Sequence, residues 1–403
     1  MKRGQQQMYD LNMERVLRNR EALQACLDRA AASGETPGIS LLVTDRKGED
    51  CFLASGYADP ASRRPLSRDS IFRCYSMTKP LTSCAAMMLI QEGKLDMFHP
   101  VSRYFSSFRS QRVLTPEGEV PAARENLVLD LLDMTAGLAY DGEESLPQQE
   151  TAALFEEAER RLDSAHPMDT QEFARRVGDI PLLFHPGSGW NYSVCADVLG
   201  AVVEKAADMP FADFIRQRIL EPLGMSDSGF SLAPDRQRRL VTACQKGADG
   251  SWVPYNGNHL NIRNDGGENP FHSGGAGLFS TADDYARFGR MLLRGGVGDK
   301  GQRILSENTV RWMTGRRQAG RPQQDILQGL NMWGHTYTNL LRITVDPSAA
   351  FFPANAGEYG WGGWLGTEFF NDPATGCTIL LMQNLKDGDG SLARRVRSLL
   401  YLA

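Results

Sequence analysis

Phe72-Arg73-Cys74-Tyr75-Ser76-Met77-Thr78-Lys79-Pro80-Leu81, continuing through an apolar run to Gln91-Glu92-Gly93-Lys94, is the stretch on which the reading of this chain turns. Ser76 and Lys79 stand three apart, which on a helix puts both side chains on one face. Pro80 sets the pair at the helix start, because proline is tolerated in a first turn and breaks a helix further in. First-turn N–H groups have no intrahelical acceptor and carry the positive end of the helix dipole, so a serine there sits where a developing oxyanion is favoured. Met77, Leu81, Cys84, Ala85 and Met88 form an apolar stripe that predicts burial, and Gly93 ends the helix. A serine hydroxyl becomes a nucleophile when a neighbour takes its proton, and a lysine one turn away does so itself or holds another base ready. The spacing by itself is a weak signal. It gains weight because it is the one S-x-x-K in the chain and follows a β-type hairpin.

That hairpin is Gly38 to Asp45 and Cys51 to Tyr57, joined by the turn-like Arg46-Lys47-Gly48-Glu49. Before it, Leu11, Val16, Leu23, Ala25 and Leu27 among charged residues predict one helix from Leu11 to Ala32. From Val101 to Gly274 the pattern turns helical, broken by Pro and Gly: Leu127 to Thr135, Gln149 to Leu162, Thr170 to Val177, Tyr192 to Ala207 and Phe211 to Leu220. After Gly274 a helix from Ala282 to Arg294 precedes strand-like runs at Leu340 to Val345, Glu368 to Asn371 and Thr378 to Gln383, then a helix from Leu392 to Leu402. The fold class expected is α/β (α+β): residues 1–100 and 275–403 form one discontinuous unit, and 101–274 a mostly helical unit inserted into it. There is no internal repeat or low-complexity tract.

The chain has 403 residues, 41% hydrophobic and 23% charged, enough for a large core. A net charge of −5 argues against nucleic acid or an anionic membrane surface as partner. Met1-Lys2-Arg3-Gly4-Gln5-Gln6-Gln7-Met8 carries no apolar leader and no stretch is long enough to span a bilayer, so a cytoplasmic protein is expected. Seven cysteines without a C-x-x-C pair fit reduced thiols. The six histidines lack metal-ligand spacing, and neither metal nor cofactor is expected. Gly296-Val297-Gly298-Asp299-Lys300-Gly301 fits G-x-G-x-x-G but follows a helix, so it reads as a loop. The absence of G-x-S-x-G removes the α/β-hydrolase elbow. Asp141-Gly142-Glu143-Glu144 reads as a solvated loop whose neighbours form a candidate lid.

Four motifs in order carry a family resemblance. Ser76 to Lys79 is followed by Pro186-Gly187-Ser188-Gly189-Trp190-Asn191-Tyr192-Ser193-Val194, by Ser273-Gly274-Gly275-Ala276-Gly277-Leu278-Phe279-Ser280-Thr281, and by Tyr359-Gly360-Trp361-Gly362-Gly363-Trp364-Leu365-Gly366-Thr367. Over nearly its whole length the chain resembles class C β-lactamases, DD-peptidases and, most closely, the cytoplasmic carboxylesterases of esterase family VIII and their acyltransferase relatives. The resemblance implies a β-lactamase/transpeptidase-like fold, an antiparallel sheet flanked by helices. It also implies Ser76 as nucleophile, Tyr192 as the base that takes its proton, and Lys79 as the cation that stabilises the phenolate. The oxyanion hole would be the N–H groups of Ser76 and Trp364. On residue pattern alone, Tyr192 also reads as a core aromatic opening a helix, and W-G-G as a strand with a bulge.

Two departures from the β-lactamase pattern matter. Val194 stands where an Asn would bind an acylamino group, and Trp361 stands where a Lys would hold a substrate carboxylate. Both changes favour uncharged acyl groups against Trp361 and Trp364, with Gly362 and Gly363 small enough for close approach to the helix start. Trp333 joins these as a candidate pocket residue. The expected function is ester hydrolysis through a Ser76 acyl-enzyme on a small-molecule ester or amide. Acyl transfer, weak β-lactamase or DD-peptidase-like activity, and a catalytically silent acyl-binding sensor are the alternatives. Acyl length and oligomeric state are not fixed by the sequence.

Overall fold

The computed structural model describes residues 8–329 and 332–403, so the reading of Met1 to Gln7 lies outside the described residues. The main sheet contains β1 (Gly38–Asp45), β2 (Asp50–Asp59), β3 (Arg64–Pro65), β4 (His335–Thr338), β5 (Leu341–Thr344), β6 (Tyr359–Gly362), β7 (Glu368–Asp372) and β8 (Cys377–Met382). Its order is β4-β5-β6-β7-β8-β1-β2-β3, every pair antiparallel. The N- and C-terminal parts of the chain meet in its middle, where β1 pairs β8 with Leu42 opposite Leu380.

The helices that matter for the site are α1 (Arg20–Ala32), α2 (Lys79–Gln91), α3 (Cys195–Ala207), α4 (Ala282–Leu293) and α5 (Ser391–Tyr401). Strand alternation decides what each packs against. Ile39, Leu41 and Val43 of β1 face outward and cluster with Leu23 and Leu27 of α1 and Val396 and Leu400 of α5. Leu42 faces the other way, into the large core with Leu380, Phe369 and the α4 residues Tyr285 and Phe288. α2 packs against α3 and is buried at every position from Lys79 to Leu89. It is a helix enclosed all round, not one with a single apolar stripe.

The expected hairpin and the strands after Gly274 form within a residue or two of their expected limits. Four expectations change. The single helix from Leu11 to Ala32 is two, Met13–Arg18 and α1, because Asn19 leaves helical geometry at ψ 5° and turns its amide to the carbonyls of Leu399 and Ala403. The helix expected from Tyr192 begins at Cys195, which leaves Tyr192 in the preceding loop. The stretch expected to be helical contains two short hairpins, Arg112–Thr115 with Gly118–Pro121 and Cys244–Lys246 with Trp252–Pro254. β4 and the helices Glu307–Gly315 and Gly320–Gly329 were not signalled, since their apolar residues are too few for either period to stand out.

Candidate active site

Ser76 lies in a one-turn 3₁₀ segment, Tyr75–Thr78, that runs directly into α2. The preceding Tyr75 holds φ +42°, a left-handed conformation costly for a tyrosine, which the surroundings impose. Phe72–Arg73 pairs with Phe279–Ser280, Cys74 N–H donates to Leu278 O at 2.9 Å, and Leu278 N–H donates to Thr78 Oγ1 at 2.9 Å. Tyr285 of α4 donates its hydroxyl to Met77 O at 2.7 Å. The 273–281 motif and α4 together clamp the serine's turn.

Lys79 is fully buried. Its ammonium donates to Ser76 Oγ at 3.1 Å, to Tyr140 OH at 3.0 Å and to Gly275 O at 2.9 Å. Tyr192 is brought to the same place differently from expectation: Lys79 Nζ sits 4.7 Å from the centre of its ring, and its hydroxyl accepts from Trp361 Nε1 at 2.9 Å. Tyr140 is the residue that sequence reasoning missed. It has no motif spacing; the one signal was the adjacent Asp141, read as part of a candidate lid. Burial, with the Asp197 carboxylate second, pushes the Tyr140 hydroxyl well above its ordinary range and so keeps it a neutral phenol. Tyr337, packed edge-on against Trp361 at 4.8 Å, is likewise held up, chiefly by burial.

The β6 end abuts this turn. A Cβ on Gly363 would overlap Cys74 O and Thr367 Oγ1, so only glycine lets the strand approach, whereas at Gly362 the nearest atom would be Thr367 O at 3.2 Å. Trp364 follows, fixed by His259 at 4.0 Å and Tyr75 at 5.2 Å between ring centres. Ser76, Tyr140, Tyr192, Trp361, Gly362 and Trp364 all line one cavity of about 530 Å³. Leu260, Met332 and Phe369 add apolar wall, and Asp141, His259, Arg342 and Glu368 add polar groups. Two expected pocket residues are placed elsewhere. Val194 is wholly buried at the start of α3, since that helix is buried through Val203. Trp333 is 44% exposed, and Met332 forms the wall in its stead.

The Beta-lactamase family model matches residues 23–402. Protein Rv1367c of Mycobacterium tuberculosis is 33% identical over 385 residues, covering 92% of this chain and 91% of that protein. Esterase EstB of Burkholderia gladioli is 33% identical over 380 residues, covering 90% and 89%. Among solved structures, EstCE1, described as a hydrolase with promiscuous acyltransferase activity, superposes with a TM-score of 0.79 at 25% identity, covering 97% of this chain and all of that one. The chain belongs to the Beta-lactamase family, a serine-hydrolase fold that includes proteins named as esterases.

Proposed function

We propose that the protein is a carboxylesterase that forms an acyl-enzyme on Ser76. The observation that carries this is the Ser76 Oγ to Lys79 Nζ hydrogen bond of 3.1 Å inside a cavity walled by Tyr192, Trp361 and Trp364. Ser76 attacks the ester carbonyl, its proton passes to Tyr192 with Lys79 as the cation against that ring, and the oxyanion is held by the Ser76 and Trp364 N–H groups. The tetrahedral intermediate collapses as the ester C–O bond breaks and the alcohol leaves with the proton from Tyr192; water then attacks the acyl-enzyme and releases the acid, restoring the Ser76 hydroxyl. Tyr140 holds Lys79 through its hydroxyl, which accepts from the ammonium at 3.0 Å. Trp361 takes up the space of a carboxylate-binding lysine, which favours uncharged acyl groups over β-lactams. The seven cysteines, all free and buried, support a reducing compartment such as the cytoplasm. No helix of the described residues is long and apolar enough to cross a membrane. In this reading residues 1–100 with 275–403 and residues 101–274 are two units that meet at Ser76.

Steady hydrolysis of p-nitrophenyl butyrate, with the acyl group or a fluorophosphonate mapped by mass to Ser76, is the expected result. Ser76→Ala abolishes it. Tyr192→Phe lowers kcat by about 10²–10⁴-fold, the range for loss of a general base, and Tyr140→Phe lowers it less. Labelling at another residue, or a single burst without turnover as for a silent acyl-binding protein, overturns the reading. The EstCE1 likeness supports a second outcome, transfer of the acyl group to an added alcohol, read by product analysis with and without the acceptor.

A further inference from the structure

Lys79 presents a problem of charge. Its ammonium is fully buried and its acceptors are a hydroxyl, a phenol and a peptide carbonyl, all neutral. A cation withdrawn from water is strongly disfavoured unless an opposite charge compensates it. We propose that Asp197 is the counter-charge and positioning residue of Lys79, acting through the backbone of Gly275, an inference that rests on the reading of Ser76 and Lys79 as the acylating pair.

Asp197 lies in the first turn of α3 and is 3% exposed. Its Oδ1 accepts the Ser273 hydroxyl at 2.5 Å and the Gly275 N–H at 3.1 Å, while the Gly275 carbonyl receives Lys79. One glycine is therefore gripped from both sides by opposite charges. Its lack of a side chain is required: a Cβ would stand 2.6 Å from Asp197 Oδ2 and 3.0 Å from Tyr140 OH, so both groups crowd the same Cα. At Gly274 a Cβ would overlap the Ala196 carbonyl, which shows how closely α3 approaches. Burial disfavours the Asp197 carboxylate, and the charge of Lys79 is the foremost influence opposing that. The start of a helix adds to its support. Tyr140, beside Gly275, in turn faces Asp197, Tyr192, Tyr337 and Cys195, and Cys195 faces Asp130 as well as Asp197. The Ser273-Gly274-Gly275 segment thus serves as the seat through which one buried charge fixes the other.

The test uses the whole protein. Asp197→Asn keeps an Oδ1 that accepts both hydrogen bonds and removes the charge. Without a neighbouring negative charge each nearby group gives up its proton more readily. Both limbs of the pH profile for fluorophosphonate labelling of Ser76 should therefore move to lower pH by about one unit. A profile that superimposes on the wild type with only a lower plateau overturns the proposal. Thermal unfolding supplies an arm that needs no catalysis. Lys79→Met lowers Tm by stranding the carboxylate, and adding Asp197→Asn should recover several degrees; further loss on combining the two overturns the proposal. Failure of the wild type to label at Ser76 would instead overturn the acylation reading, leaving the unfolding cycle to decide on Asp197.

Discussion

Trp361 Nε1 donates to the Tyr192 hydroxyl at 2.9 Å, and Tyr337 packs edge-on against the same indole. The residue proposed to stand in place of a carboxylate-binding lysine thus also supplies a neutral donor to the proposed base. Hydrogen bonds to charged groups contribute about 1.5–3 kcal/mol. Trp361→Phe keeps the apolar wall and loses the donor, so kcat/KM for a short p-nitrophenyl ester should fall by roughly 10- to 150-fold with little change in thermal stability. An unchanged rate would mean that the bond does not persist during turnover. The Tyr140 contact to Lys79 illustrates the limit at this scale: a hydroxyl brought 61 positions along the chain to a buried ammonium leaves no periodic trace.

Among elements, the decisive junction is between the nucleophile's turn and the end of β6. Both are short, and their approach is set by backbone bulk. A Cβ on Gly363 would collide with the carbonyl of Cys74, the residue that leads directly into the turn. Gly363→Ala must push the strand end, with the Trp364 N–H, away from Ser76. Displacement near 1 Å costs about 10² in rate, and loss of an oxyanion donor costs about 2.7–4 kcal/mol of barrier. A fall of about 100-fold in kcat is expected from steady-state kinetics, against a much smaller effect for Gly362→Ala, where the nearest atom would be 3.2 Å away. Equal effects of the two would remove the steric argument.

Across the whole molecule, the sheet that carries the late motif is completed by the two ends of the chain, and charge secures the outer face. Arg397 of α5 donates to Glu358 Oε1 at 2.8 Å and Oε2 at 3.1 Å, and Tyr401 donates to the same carboxylate at 3.0 Å. Arg397 is 3% and Glu358 1% exposed, and Glu358 immediately precedes β6. Removing one partner of a buried pair costs about 3–5 kcal/mol where the other is left uncompensated, and here Arg342, 3.5 Å from Glu358, retains part of the compensation. Arg397→Met should lower the stability read from urea denaturation by less than that amount but by more than about 1 kcal/mol, and Arg397→Met with Glu358→Gln should recover part of it. An Arg397→Met effect below about 1 kcal/mol would show that α5 is held by its apolar residues alone.

What the sequence determined by itself was local. The S-x-x-K at a helix start, the hairpin before it and the strand runs after Gly274 follow from spacing, period and turn residues, which act between neighbours in the chain, whereas the four ordered motifs and the antiparallel sheet were legible only as a family resemblance. Only the tertiary structure decided what depends on distant segments meeting. It set Tyr192 against Lys79 by its ring and against Trp361 by its hydroxyl, put Tyr140 at the ammonium, and buried Val194 completely. It also aligned Asp197 with Gly275. Hydrogen bonds and buried charges are satisfied by whichever group the packed fold delivers within about 3 Å, and no periodicity along the chain encodes that choice.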